Sequence, residues 1–185
     1  MSTFSDDLLR AASRLYYRRK NQRGPLKSAY VRRSISTTYY AIFHFCLDEA
    51  ALRLVGTNND LRQRRRLFIR TLSHSGLIVA FGKLKGTTIE KSVEDLFRTP
   101  GTPSGPIATP LFVQQLASAY LDAKAKREDA DYDLNEPLSE TDARQLRRRV
   151  VRAIRAWENA TTQTDRDTKH VVAILLATKG KLREQ

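Results

Sequence analysis

From about Pro25 or Lys27 to Val55 the chain carries one unbroken helical period. Ile35, Tyr39, Ile42, Phe43, Cys46, Leu47, Ala50 and Leu54 recur at three- and four-residue spacing, which lays a wide apolar stripe down one side of an α-helix. At a rise of about 1.5 Å per residue such a rod is about 40 Å long, enough to act as the spine of a domain. Residues 36–45 also hold β-forming side chains, but the helical period runs straight through them and outweighs local propensity. Gly56-Thr57-Asn58-Asn59 ends the run, since glycine readily takes the conformation that closes a helix.

The rest of the chain reads as further helices around that rod. Asp6 or Asp7 can cap a first helix through Leu8, Leu9, Ala12, Leu15 and Tyr16, which decays in Arg18-Arg19-Lys20 before the break at Asn21-Gln22-Arg23-Gly24-Pro25. Arg62, Arg64, Arg65 and Arg66 lead into a third segment over residues 67–84. His74-Ser75-Gly76 interrupts it, so one helix or two short ones are equally consistent. Lys85-Gly86-Thr87-Thr88 reads as a turn, and Ile89, Val93, Leu96 and Phe97 as one or two helical turns. Residues 99–110, with four prolines and two glycines, predict an exposed loop without regular helix. A fourth helix follows from Phe112 through Leu116 and Tyr120 into a polar continuation at Lys124, Arg127 and Asp131, ending at Asn135-Glu136-Pro137. The fifth opens at Ser139 or Thr141, with Ser139 and Asp142 as a weak capping-box variant. It buries Leu146, Val150, Val151, Ile154 and Trp157. Residues 5–161 are expected to form the helical bundle. Residues 162–185 are expected to be a polar linker and a short apolar helix, either docked or pairing with a second subunit.

Charge narrows the choice of partner. The 33 basic side chains exceed the 20 acidic ones, for a formal net charge of +13, and such an excess favours phosphates or an acidic protein surface. The arginines gather in the run at 62–66 and in a second run at Arg144, Arg147, Arg148, Arg149, Arg152 and Arg155. The guanidinium fork suits phosphate oxygens, so Arg64, Arg65, Arg66 and Arg70 are candidate nucleic-acid or nucleotide contacts; solvated helix faces are the alternative. The single cysteine, Cys46, lies among apolar residues and reads as a buried thiol. One thiol excludes an intrachain disulfide or a zinc site built on cysteine pairs. No run approaches the ~20 apolar residues that cross a bilayer, and the polar, acidic start is unlike a signal peptide. A cytoplasmic protein without membrane association is expected.

Arg33, Thr37, Tyr40, His44 and Asp48 share one polar face of the long helix, where His44 is either a site residue paired with Asp48 or a structural hydrogen-bonding group. His74 lies between Ser73 and Ser75, just before Gly76. Those hydroxyls and Arg70 suit a phosphate, or the histidine serves its own helix end. His170 sits among charged residues and reads as solvated. The three histidines share no metal-ligand spacing, and phosphate-binding glycine loops, zinc-protease helices and serine elbows are absent; neither metal nor cofactor is expected.

Ser36-Thr37-Thr38-Tyr39-Tyr40-Ala41-Ile42-Phe43-His44 resembles the S-x-x-Y-Y-A-x-F-H signature of the HEPN family, Ser73-His74-Ser75-Gly76 resembles a segment many members carry next, and Arg127-Glu128-Asp129-Ala130-Asp131-Tyr132 resembles the family's R-x-x-A-D-Y signature. The resemblance implies an all-α, antiparallel helical bundle of about four to five main helices. It also implies pairing into homodimers and, in many members, ribonuclease activity in toxin–antitoxin or antiviral systems, with an antitoxin or nucleotidyltransferase as partner. Ribonuclease members place four to six residues between a catalytic arginine and histidine, whereas here Arg70–His74 and Arg166–His170 each enclose three and Arg66–His74 encloses seven.

Two functions stay open. One is a basic protein of this type that binds RNA or nucleotides, or acts as a non-catalytic component of a toxin–antitoxin or defence system. Ser36, Tyr39, Tyr40, Asp131 and Tyr132 then hold the bundle together. The other is a metal-independent endoribonuclease, in which His44, His74 and Arg127 supply base, acid and electrostatic clamp.

Overall fold

The computed structural model describes residues 3–16, 28–98, 101 and 105–180. Within them the chain is all-α, with eight α-helices and no strand. The helices are α1 (Thr3–Leu15), α2 (Ser28–Val55), α3 (Arg62–Ile69), α4 (His74–Gly82), α5 (Lys91–Glu94), α6 (Leu111–Tyr132), α7 (Glu140–Asn159) and α8 (Gln163–Ala177). The expected spine is α2, unbroken over 28 residues, and the β alternative for residues 36–45 is excluded. Gly56 ends it at a φ of 108°, where a side chain is strained and a Cβ would meet Leu61 at 3.0 Å. The Gly24-Pro25 break, Lys27 and the Arg18-Arg19-Lys20 run lie outside the described residues.

The chain divides into two compact units. The first comprises Met1–Phe45 and Ala119–Arg155, the second Cys46–Ser118 and Ala156–Gln185. In the first, α1, the leading part of α2, the trailing part of α6 and most of α7 enclose Leu9, Ile35, Ile42, Tyr120, Val150 and Ile154. Small residues bring α1 and α2 together: buried Ser5 donates to the Ala41 carbonyl and buried Ser34 to the Ala12 carbonyl, each at 2.8 Å. The helix begins at Thr3, so Asp6 lies in its first turn instead of capping it. There it still complements the positive end of the helix dipole.

In the second unit, Leu77, Phe81, Leu84, Val93, Val113, Trp157 and Leu175 form the core. Several boundaries differ from the expected ones. The arginine run is the body of α3 itself, and the break between α3 and α4 falls before His74, with Ser73 as the N-cap of α4. His74-Ser75-Gly76 is thus the first turn of a helix. The Pro/Gly loop is not wholly free. Ile89 N–H donates to the Ile107 carbonyl and Thr109 N–H to the Thr87 carbonyl, both at 2.9 Å, around a bridge between Thr88 and Ala108 that leaves Thr109 buried. Pro100 and Pro103 lie outside the described residues.

The polar stretch expected as a linker is instead the first half of α8. A full capping box drives it: Thr162 accepts from the Asp165 N–H and Asp165 accepts from the Thr162 N–H. Val172, Ala173, Leu175 and Leu176 are buried in this chain, so the apolar tail docks. Gly180 closes the helix at a φ of 67°, and a Cβ there would meet the Ala80 backbone of α4 at 3.1 Å.

Candidate functional site

The two signature segments in the first unit meet in one polar network. α2 places Ser36 fully buried on its inner face, where its hydroxyl donates to Asp131 near the end of α6. Asp131 also pairs with Arg127 one turn earlier, Nε to Oδ2 at 2.6 Å. The Arg127 guanidinium in turn reaches the Tyr40 hydroxyl at 3.5 Å and lies 5.0 Å from the centroid of the Tyr132 ring. Burial disfavours that charge, but Tyr132, Asp131 and Tyr40 outweigh it and hold the guanidinium above its ordinary pKa. Tyr39 is buried against Tyr120, the two hydroxyls 3.4 Å apart. Tyr132 itself is 72% exposed, so the network runs from the core to the surface of this unit.

His44 is half-buried, with its ring edge-on to Phe4 at 4.9 Å and to Phe43 at 5.5 Å. That aromatic seat lies in the first unit, together with Arg127. His74, Ser73, Ser75 and Arg64, Arg65, Arg66 and Arg70 belong to the second, so neither unit by itself gathers His44, His74 and Arg127. Ser73 is occupied as a helix cap, accepting from the Gly76 N–H at 3.2 Å, with the Ser75 hydroxyl 3.3 Å away. Arg65 donates to the Gly56 carbonyl at 2.7 Å and the Asn58 carbonyl at 2.8 Å, clamping the end of α2. Arg64, Arg66 and Arg70 are exposed.

Three features escaped the sequence reading. The first is Arg32, whose guanidinium donates to the carbonyls of Asp129, Ala130, Asp133, Leu134 and Glu136 at 2.8–3.2 Å. It thereby ties down the carbonyls at the end of α6 and in the turn that follows, of which Asp129, Asp133 and Glu136 also accept a backbone N–H. No local spacing signals this, because the partners lie about a hundred residues away. The second is a cavity of about 400 Å³ in the second unit, lined by Glu49, Arg53, Thr57, Arg166, Asp167 and His170. Glu49 there accepts from Arg53 at 2.9 Å and from the Trp157 indole at 2.7 Å. The i,i+4 spacing of Arg166 and His170 was the available signal. The third is a larger cavity, about 660 Å³, between α6 and α7 in the first unit, bearing Lys126, Arg148, Arg149 and Arg152 beside Asp122 and Asp142.

Among the described residues no cluster of three His, Cys, Asp or Glu side chains suits a metal ion. None of their helices is long and apolar enough to cross a membrane. Cys46 is buried, and burial raises its thiol pKa well above the ordinary value. Fold and site together define an all-α protein with an internally paired polar network and basic surfaces. In comparisons with family models, curated proteins and solved structures, none matches this chain.

Proposed function

We propose that this is a basic, non-catalytic helical protein of HEPN type that holds RNA or nucleotide phosphates on its surface. It would serve as one component of a toxin–antitoxin or defence system. The observation that carries the reading is the pairing inside the signature network. Asp131 neutralises Arg127 and accepts from Ser36, while Tyr40 and Tyr132 flank the guanidinium. A clamp for a phosphorane must offer its donors to the reacting group. Here they serve the packing of α2 on α6, as expected of a network that specifies a fold. Elsewhere Arg64 and Arg66 on α3 and Arg148, Arg149 and Arg152 on α7 are exposed. A homodimer and a protein partner rest on the resemblance alone, because the apolar face of α8 is buried within its own chain. Light scattering at micromolar concentration is expected to give twice the 21.1 kDa chain mass.

The second reading, a metal-independent endoribonuclease, is favoured by the cavity around Arg53, Arg166 and His170, which places a titratable base beside two cations. One experiment separates the two: an RNase assay and a thermal melt on the same samples of wild type, H44A, H74A, R127A and H170A. The scaffold reading expects no RNA cleavage by wild type. It also expects a loss of roughly 1–3 kcal/mol in H44A and R127A, which leave buried or half-buried partners unpaired. H74A should be tolerant, its side chain being exposed. Cleavage that resists EDTA and disappears in any of these variants without a change in melting temperature overturns the scaffold reading.

A further inference from the structure

The second arginine run is not a uniform charged face. Arg147 donates to the Leu9 carbonyl at 2.9 Å and holds α1 against α7. Arg144 pairs with Glu140 and lies 5.4 Å from the centroid of the Tyr16 ring. Arg149 pairs with Asp122 across the α6–α7 groove. Arg148 and Arg152 are different: both are exposed, both line the groove, and among the described residues neither makes a hydrogen bond or ion pair. They stand one helical turn apart, about 6 Å of rise, on the same side of α7. Across from them α6 contributes Lys126, whose nearest carboxylate, Asp129, is 3.8 Å away.

The two carboxylates in the groove are already committed. Asp142 accepts from the Ser139 N–H at 2.8 Å and from the Ser139 hydroxyl at 2.6 Å as the capping partner of α7. Asp122 is held by Arg149. Four cations therefore line the groove against two carboxylates; Lys126 pairs with Asp129 and acts on Asp142, so the surplus of two sits on Arg148 and Arg152. The volume, about 660 Å³, lies within the ordinary range of small-ligand sites, about 300–1,000 Å³. The buried Leu146 supplies an apolar floor, with the exposed Ala125 beside it, on which a base or ribose can rest.

We infer that the α6–α7 groove is a phosphate-binding site, in which Arg148 and Arg152 fork onto phosphate oxygens and Lys126 closes the opposite wall. The inference rests on the phosphate-binding reading above and gives it a location, on α7 rather than on the α3 arginines. The ligand is either the backbone of single-stranded RNA or the phosphate chain of a free nucleotide, which share this chemistry.

The test is fluorescence anisotropy with a labelled 12-nucleotide uridine RNA and with a fluorescent ATP analogue, across a salt series. The proteins are wild type, R148E/R152E, R148A/R152A and, as control, R64E/R66E, each checked by circular dichroism. Expected is at least a tenfold loss of affinity in R148E/R152E and a smaller loss in R148A/R152A, with less than a threefold change in the α3 control. If RNA is the ligand, the alanine pair also flattens the slope of log K against log salt by about 1.4, at about 0.7 per lost phosphate contact. If only the ATP analogue binds, and the α7 variants abolish it, the ligand is the nucleotide. Wild-type binding that survives in folded α7 variants overturns the inference and leaves the broader reading standing. Binding of neither probe by wild type at low salt overturns both.

Discussion

Replacing Arg32 by alanine removes one donor from each of five carbonyls; those of Asp129, Asp133 and Glu136 keep a backbone N–H partner from Asp133, Glu136 and Leu138. The bonds to Asp133 and Leu134 are exposed, and water takes them over at little cost. Those to Asp129, Ala130 and Glu136 are part-buried, at 3.1, 3.1 and 2.8 Å, and water replaces them poorly. Hydrogen bonds to a charged donor contribute about 1.5–3 kcal/mol each when measured singly. Because one guanidinium serves all three, the contributions do not add in full, and about 1 kcal/mol apiece gives a loss of about 3 kcal/mol. For a chain of this size each kcal/mol moves the melting temperature by about 2–4 °C, so R32A should melt about 6–12 °C below wild type. R32K keeps a cation near the negative end of α6, worth about 0.3–1 kcal/mol, but loses the planar fork. It should recover a third of the loss or less. Circular dichroism melts at 222 nm, with urea titrations for the free energy, measure both. A shift under about 2 °C in R32A refutes the clamp, and full recovery in R32K shows that charge alone matters, not the fork.

Other outcomes follow from individual contacts. Hydrogen bonds from the Ser139 side chain and backbone hold the Asp142 carboxyl below the usual aspartate range. Its stabilising effect is therefore complete above the ordinary aspartate pKa and disappears as pH falls through the lowered folded value. S139A should cost about 1 kcal/mol at neutral pH, with the gap to wild type narrowing in strong acid to what the Asp142 N–H bond to the Ser139 hydroxyl contributes; a gap that does not change with pH refutes the bond to the Asp142 carboxylate. Lys169 is buried, donates to the Ala160 carbonyl at 2.6 Å and lies 5.4 Å from the Trp157 ring centroid. Burial, followed by Arg53, lowers its pKa. The unfolded chain then binds more protons than the folded one as pH rises through that lowered value, so wild-type stability should climb relative to K169M between neutral and alkaline pH. K169A should cost about 2–3 kcal/mol through the lost packing of the lysine stem. An equal pH profile for wild type and K169M, in urea titrations, would contradict the first of these expectations. G180A should also destabilise the second unit, by more than about 1 kcal/mol, because its φ is positive and its Cβ would press on Ala80.

What could be read in advance was what local physics controls. The period of α2 depends only on which apolar residues lie three and four apart. Its stop at Gly56 depends on one residue's access to positive φ. The opening of α7 at Ser139 is likewise decided within a few residues of chain. The pairing of Arg127 with Asp131 was also within reach, since i,i+4 spacing brings them together on any helix. Even local reading failed where the competing signal was weak. Residues 163–169 look like a polar linker until the capping box at Thr162 and the buried face of the same helix are counted together.

The long-range choices belong to the tertiary structure. Composition counts each arginine as one surplus charge, but the fold treats them individually. Arg32, Arg65 and Arg147 point their donors at backbone carbonyls, Arg149 is neutralised by Asp122, and Arg148 and Arg152 remain open to solvent. The histidines sort the same way: His44 is seated between aromatic rings, while His170, unremarkable in sequence, lines a cavity with Arg53 and Arg166. A side chain's partner is set by which helices the burial of apolar surface brings together. That burial is a property of the whole chain, whereas the helices themselves form from contacts a few residues long.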